Sequence, residues 1–140
     1  MAQVNVYIDA SVLIRIVFRE PAPIPNWGAW DVAVSSELTR IRVMRAIDRV
    51  RVLAQASPEE FERLSSAASG LIAPLRLVPM NRLVLKRAAG HFPTDVTASN
   101  AIHLASALLW QEETGENLTL LTHDRQLRAA ALACGLQTGE

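Results

Sequence analysis

The stretch Val6-Tyr7-Ile8-Asp9-Ala10-Ser11-Val12-Leu13 decides how the rest of the chain is read. Val4 to Ile8 is rich in β-branched and aromatic residues, which suits a short buried strand. Apolar residues at helical spacing, Val12, Leu13, Ile16 and Val17, follow after Asp9-Ala10-Ser11, so the pattern is strand, turn, helix over Ser11 to Arg19. Asp9 therefore stands at the carboxyl end of a strand. In an open α/β sheet that edge forms the ligand crevice. The same position also suits a plain helix cap, because Asp and Ser side chains accept backbone N–H bonds at a helix start.

A second unit of this kind stands near the other end of the chain. Leu118 to Leu121 reads as a strand closed by Thr122-His123-Asp124, and Arg125 to Cys134 follows as an alanine-rich helix with Gly135 at its C′ position. Between the two units strands and helices alternate. Asp31 to Ser35 is a second strand, with Ser35 or Ser36 as N-cap and Glu37 in the first turn of a helix running to about Ala56. Ser57-Pro58-Glu59-Glu60 starts another helix, with a capping serine, proline at N1 and Glu60 reaching back; it ends near Gly70. Pro74 to Met80 holds a short strand and a turn. Asn81 then caps a helix over Arg82 to Ala89 that Gly90 ends, and Thr97 to Thr114 is helical up to Gly115. The order is β-α-β-α-α-β-α-α-β-α, with room for a last short strand at Leu136 to Thr138. Such alternation predicts an α/β fold in one domain over residues 1–140, its central, mostly parallel β-sheet flanked by helices on both faces.

With 140 residues, half of them apolar, the chain is long enough to bury a core without staples. Cys134 has no partner for an intrachain disulfide and lies in an apolar helical stretch, which fits an inert thiol in a reducing compartment. There is no basic-then-apolar leader and no apolar run of bilayer length, so the expectation is a cytoplasmic protein with no membrane partner. Fourteen basic and fourteen acidic residues cancel, which leaves no global field for a polyanion. A local patch remains: five of the twelve residues from Arg40 to Arg51 are arginine and only Asp48 is acidic. At the helical period Arg42, Arg45 and Arg49 form one stripe, either a solvated face or a phosphate-contact face, with Arg40 and Arg51 roughly opposite. The loop from Pro21 to Trp30, broken by Pro21, Pro23 and Pro25, carries Trp27 and Trp30. Their indoles suit packing or partner contact, or stacking on bases.

In a parallel sheet Asp9 and Asp124 reach the same edge. Two carboxylates brought together repel, and a divalent cation such as Mg²⁺ or Mn²⁺ relieves that repulsion because it prefers hard oxygen ligands. Such an ion polarises phosphates and lowers the pKa of bound water, the chemistry of many nucleases. Strand-end aspartates also serve phosphatases, receiver domains and caps. A phosphoryl-transfer enzyme with Asp9 as nucleophile usually wants a second acid two residues on, where this chain has Ser11.

Four segments, taken together, resemble PIN domains, and most closely the VapC-type toxins of bacterial toxin–antitoxin pairs. They are Tyr7-Ile8-Asp9-Ala10-Ser11-Val12-Leu13, Ser36-Glu37-Leu38-Thr39-Arg40-Ile41-Arg42-Val43-Met44-Arg45-Ala46, Asn100-Ala101-Ile102-His103-Leu104-Ala105-Ser106-Ala107 and Leu120-Leu121-Thr122-His123-Asp124-Arg125-Gln126-Leu127. The resemblance implies a PIN-like fold and a Mg²⁺- or Mn²⁺-dependent endoribonuclease that hydrolyses structured RNA such as transfer or ribosomal RNA. It also implies a cognate antitoxin that holds the toxin inactive, and a homodimer. By the resemblance Asp9 matches the first acidic site position and Asp124 the late one, while Ser11 and Thr122 match hydroxyls that steady the carboxylates. Two matches fail. The glutamate of S-x-L-T-x-x-E falls on Arg42, and the aspartate of D-A-I-H-L-A falls on Asn100. The catalytic set therefore reads Asp9, Arg42, Asn100 and Asp124. Asp9, Asn100 and Asp124 are the expected metal ligands, and Arg42, Arg45 and Arg49 the expected RNA contacts.

Asn100 offers one neutral carbonyl oxygen where a carboxylate offers two. Arg42 reads as the heavier change, since a fixed cation beside a divalent ion opposes it by several kcal/mol. Weakened metal binding and weakened or abolished cleavage are expected, with a bidentate bridge from Arg42 to Asp9 or Asp124 as an alternative occupant of the site. Glu37 cannot take Arg42's place, lying about 140° round the helix from it. Asp95 precedes Asn100 in the loop or first turn. His103 lies one turn from Asn100 and His123 beside Asp124, each read as a packed or exposed side chain or as an RNA contact. His91, next to Gly90, suits a helix C-terminus. The rival from another class is a non-catalytic PIN-fold module that binds RNA or antitoxin and cuts nothing.

Overall fold

The computed structural model describes residues 3–21 and 24–139; Pro23, one of the prolines expected to stop the first helix, lies outside them. The elements are β1 (Asn5–Ile8), α1 (Ala10–Val17), β2 (Val32–Ser36), α2 (Glu37–Leu53), α3 (Pro58–Ile72), β3 (Arg76–Val78), α4 (Arg82–Ala88), α5 (Ala98–Thr114), β4 (Thr119–Leu121), α6 (Arg125–Ala133) and β5 (Gln137–Thr138). This is the predicted order, with ends shifted. α2 stops short of Ala56, and α3 runs past Gly70 to Ile72.

The helix starts are fixed by side-chain caps that replace missing intrahelical acceptors. Ser36 accepts from Leu38 N, Ser57 from Glu60 N, Asn81 from Val84 N and Thr97 from Asn100 N. One expected detail is corrected. Glu60 does not reach back to its cap but binds Arg63 at 2.7 Å, since an oppositely charged neighbour one turn on is the stronger partner. At the other end of α5, Gly115 takes the left-handed conformation, φ +73°, that closes the helix.

All five strands are parallel, in the order β3-β2-β1-β4-β5. Alternation along β1 divides the core. Val6 and Ile8 pack with Val12, Leu13, Val43, Ile47 and Leu64 under α1 to α3. Tyr7, pointing the other way, packs with Leu104, Leu118, Leu120 and Leu127 beneath α5 and α6. Trp30 packs against the first of these cores and Trp27 sits edge-on to it, ring centroids 4.8 Å apart, so packing accounts for the indole of Trp30. Trp27 remains 38% exposed. Cys134 caps the end of α6 half-buried, and burial pushes its thiol up. Among the described residues no helix is long and apolar enough to cross a membrane.

The chain steps from β1 outward to β2 and β3, then returns to lay β4 and β5 on the other side of β1. Strand order thus reverses between β1 and β4, where the loops leaving the carboxyl ends part and leave a crevice. Ile8 pairs with Leu121, so Asp9 emerges beside Thr122.

Candidate active site

Asp9 caps α1: its Oδ1 accepts the Ser11 hydroxyl at 2.7 Å and Val12 N at 3.4 Å. Its Oδ2 accepts the Thr122 hydroxyl at 2.7 Å. Both hydroxyls are relays. Ser11 Oγ accepts His123 N at 3.0 Å, and Thr122 Oγ1 accepts Asp124 N at 2.9 Å. Through them one buried carboxylate ties the exit of β1 to the exit of β4. Asp124 caps α6 in the same manner, its Oδ1 accepting Leu127 N at 2.9 Å.

Asp9 is 3% exposed, and burial raises its carboxyl above the ordinary range; the donors from Thr122, Ser11 and Val12 oppose this, and the charge of Asp124 adds to it. A carboxyl raised in this way favours folding while it is protonated and costs stability once pH passes its folded value. Asp9→Asn loses one hydroxyl bond at any pH, but it also removes the buried charge, so relative to the unaltered chain it is expected to gain stability on going from pH 4 to pH 8. Thermal unfolding at pH 8 and pH 4 checks this. A difference between the two proteins that is independent of pH would refute the electrostatic cause.

Asn100 is buried in the first turn of α5. Its amide Nδ2 lies 2.9 Å from Gln126 Oε1 and 3.4 Å from Asp124 Oδ2. Arg42 is exposed on α2 and does not bridge to either aspartate; its guanidinium donates to Ser99 Oγ, and among the described residues it makes no ion pair. A long side chain near the surface keeps its charge in water more cheaply than it enters a buried carboxylate pocket. Of the arginine stripe, Arg45 pairs with Asp48 at 2.6 Å, whose other oxygen holds Arg51 at 2.8 Å. Arg42, Arg45 and Arg49 line one open depression of about 500 Å³ between α1 and α2. Glu37 pairs with Arg40, and Asp95 is exposed in the loop before α5.

Sequence reasoning missed the polar floor beneath this crevice. Tyr7 Oη and His103 Nδ1 are 2.8 Å apart, both side chains buried, which joins β1 to α5. Ser35, weighed as a helix cap, instead donates to the Ile8 carbonyl and shares a 2.6 Å hydrogen bond with Thr39. A tyrosine inside an apolar strand and a histidine on an apolar helix face were the available signals, because each must find a partner when buried. His103 is thus packed, and burial, with the charge of Arg42, lowers its pKa to about 4 against the pull of Asp124. His123 is half-buried and lowered by burial and by Arg15 and Arg128. His91 lies exposed beyond α4.

A divalent ion needs lone pairs converging on one point. Here each oxygen of Asp9 takes a hydroxyl donor, which leaves it lone pairs for an ion, but Asn100 turns an N–H, not a carbonyl, toward Asp124. Among the described residues no three His, Cys, Asp or Glu side chains gather to hold a metal. As they stand these donors do not fit the Mg²⁺ or Mn²⁺ site that the resemblance implied.

No family model matches the chain. It is 30% identical over 134 residues to Ribonuclease VapC46 of Mycobacterium tuberculosis (strain ATCC 25618 / H37Rv), an alignment that covers 94% of this chain and 93% of that protein.

Proposed function

This chain belongs to the VapC-type PIN-domain toxin ribonucleases, and we propose that it is a toxin endoribonuclease, one PIN domain over residues 1–140, whose cleavage of RNA is weakened or abolished by Asn100 and Arg42. The observation that supports this reading is the hub of Asp9, Ser11, Thr122 and Asp124, two carboxylates from neighbouring parallel strands at the point where strand order reverses. RNA would approach along α2, with Arg42, Arg45 and Arg49 on its phosphates and selectivity drawn from shape and unpaired bases. Asp48 offsets part of the charge of Arg45 and Ser99 ties the guanidinium of Arg42, so Arg49 carries most of this contact.

Where the acids of such a site are complete, Mg²⁺ or Mn²⁺ supplies the nucleophile and steadies the leaving oxygen. The donors of this chain do not support that chemistry, and Asp9 and Asp124 serve here as caps that hold the crevice open. A cognate antitoxin would cover the crevice, with the Pro21 to Trp30 loop among its contacts, and the protein would act as a cytoplasmic homodimer. The same mismatch favours one alternative, a non-catalytic module that binds RNA or antitoxin.

Incubation with total RNA and Mg²⁺ or Mn²⁺ tests the reading. This chain is expected to leave the RNA nearly intact, while a version with Arg42→Glu and Asn100→Asp cuts it. Cleavage by neither would count against the ribonuclease assignment, and equal cleavage by both would show that the two departures cost nothing.

A further inference from the structure

The two departures do not weigh equally. Arg42 reads from sequence as the heavier one, yet its guanidinium is exposed and tied to Ser99, beyond 4 Å of both aspartates. Water screens much of a charge in that position, which reaches the buried groups only as a secondary influence on His103. Asn100 is 5% exposed and stands against Asp124 with its amide N–H. Gln126 enforces that orientation. Its Oε1 accepts both Asn100 Nδ2 at 2.9 Å and the backbone N of Thr97 at 3.1 Å, so turning the Gln126 amide over would strip a helix-cap N–H of its acceptor. With its N–H on the Asp124 side, the amide turns its one ligand atom, the carbonyl oxygen, away from that carboxylate, so in this orientation it cannot share an ion with Asp124.

We infer that Asn100, clamped by Gln126, is what closes this centre to a divalent cation, and that Arg42 is not. The inference rests on the family reading above, in that it treats position 100 as a former ligand position. With aspartate at 100, a third carboxylate joins Asp9 and Asp124, and Gln126 can turn its amide to donate to it once the new acceptor repays the exchange. Replacing Arg42 alone leaves the Asn100 N–H where it is. Gln126 is in these terms a positioning residue.

Calorimetric titration of Mn²⁺ into the full chain at neutral pH separates the two positions. The unaltered protein and Arg42→Glu are expected to show no binding below millimolar Mn²⁺. Asn100→Asp is expected to bind one ion at least ~100-fold more tightly, a span larger than outer groups alone usually command. Its thermal midpoint should rise with Mn²⁺, which also reports that the variant folds. Adding Asp124→Asn, which preserves the cap of α6, should abolish the gain. Gln126→Ala in the unaltered chain frees the Asn100 amide to turn and is expected to raise affinity ~10-fold. Binding by Arg42→Glu, or binding by the unaltered chain as tight as that of Asn100→Asp, would overturn the inference. So would an Asn100→Asp protein that folds and ignores Mn²⁺. An Arg42→Glu, Asn100→Asp protein that binds Mn²⁺ but leaves RNA uncut would keep this inference and remove the ribonuclease reading instead.

Discussion

Thr122→Val is expected to destabilise the chain by about 3 kcal/mol, although valine nearly matches threonine in shape. Thr122 is fully buried, and its hydroxyl does two things at once: it donates to Asp9 Oδ2 and accepts Asp124 N. Valine leaves a buried carboxylate oxygen without its donor, worth about 1.5–3 kcal/mol for a charged acceptor, and a backbone N–H without its acceptor, worth about 1 kcal/mol. No rotamer of Ser11 restores both, because its own hydroxyl is already committed to Asp9 Oδ1 and His123 N. Urea unfolding at pH 7 should show a lowered midpoint with an unchanged slope, the sign of lost stability without a changed unfolded state. Thr122→Ser keeps the hydroxyl and should lose no more than about 1 kcal/mol, the cost of one buried methyl. If valine proves as mild as serine, Asp9 is neutral or hydrated, and the hub is not the tie between β1 and β4.

How far this hub was legible in the sequence follows from what kind of pattern each part makes. Apolar alternation and cap residues announce themselves locally, so Ser57, Asn81 and Gly115 bounded their helices as read, and the strand-helix alternation foretold a parallel sheet. A parallel sheet puts strand ends on one edge, which is why Asp9 and Asp124 could be paired from opposite ends of the chain. The hydroxyls of Ser11 and Thr122 came only from the family resemblance, since nothing in a lone Ser or Thr says which carboxylate it will meet. Side-chain direction was the part hidden. The family resemblance places Arg42 at the site through a matched position on α2, but a position fixes where a side chain begins and not where its far end goes; the guanidinium goes to Ser99. Gln126 escaped notice for the same reason. Its role depends on the distance between the first turns of α5 and α6, which no spacing along the chain encodes. His103 reads correctly as a packed histidine, but Tyr7 reads only as one more apolar strand residue, so the phenol that partners the imidazole is not legible.

That buried pair gives the chain a steep response to acid. His103 is 2% exposed with its Nδ1 facing the Tyr7 hydroxyl, and burial holds the phenol well above its ordinary range, so Tyr7 Oη donates and the imidazole stays neutral. The His103 pKa is lowered to about 4 in the folded chain against the 6.5 of a free imidazole. Between those values the unfolded chain binds a proton that the folded chain refuses, so stability falls as pH drops from 6.5 to 4. Integrated over that window the loss is about 3 kcal/mol, at 1.36 kcal/mol per unit of pKa. Asp9 works with the opposite sign: its raised carboxyl relieves a cost as pH falls, so the observed slope is the difference of the two. Asp9→Asn should therefore steepen acid destabilisation, and adding His103→Asn should remove most of it. Asparagine sets a non-titrating acceptor near the position of Nδ1, so the bond from Tyr7 Oη is kept while the proton site is lost. Unfolding free energies from urea melts at pH 7.0, 5.5 and 4.5, values chosen to span roughly that window, check the claim. Equal losses in Asp9→Asn with and without His103→Asn would place the acid sensitivity elsewhere and show that the Tyr7–His103 pair tolerates charge.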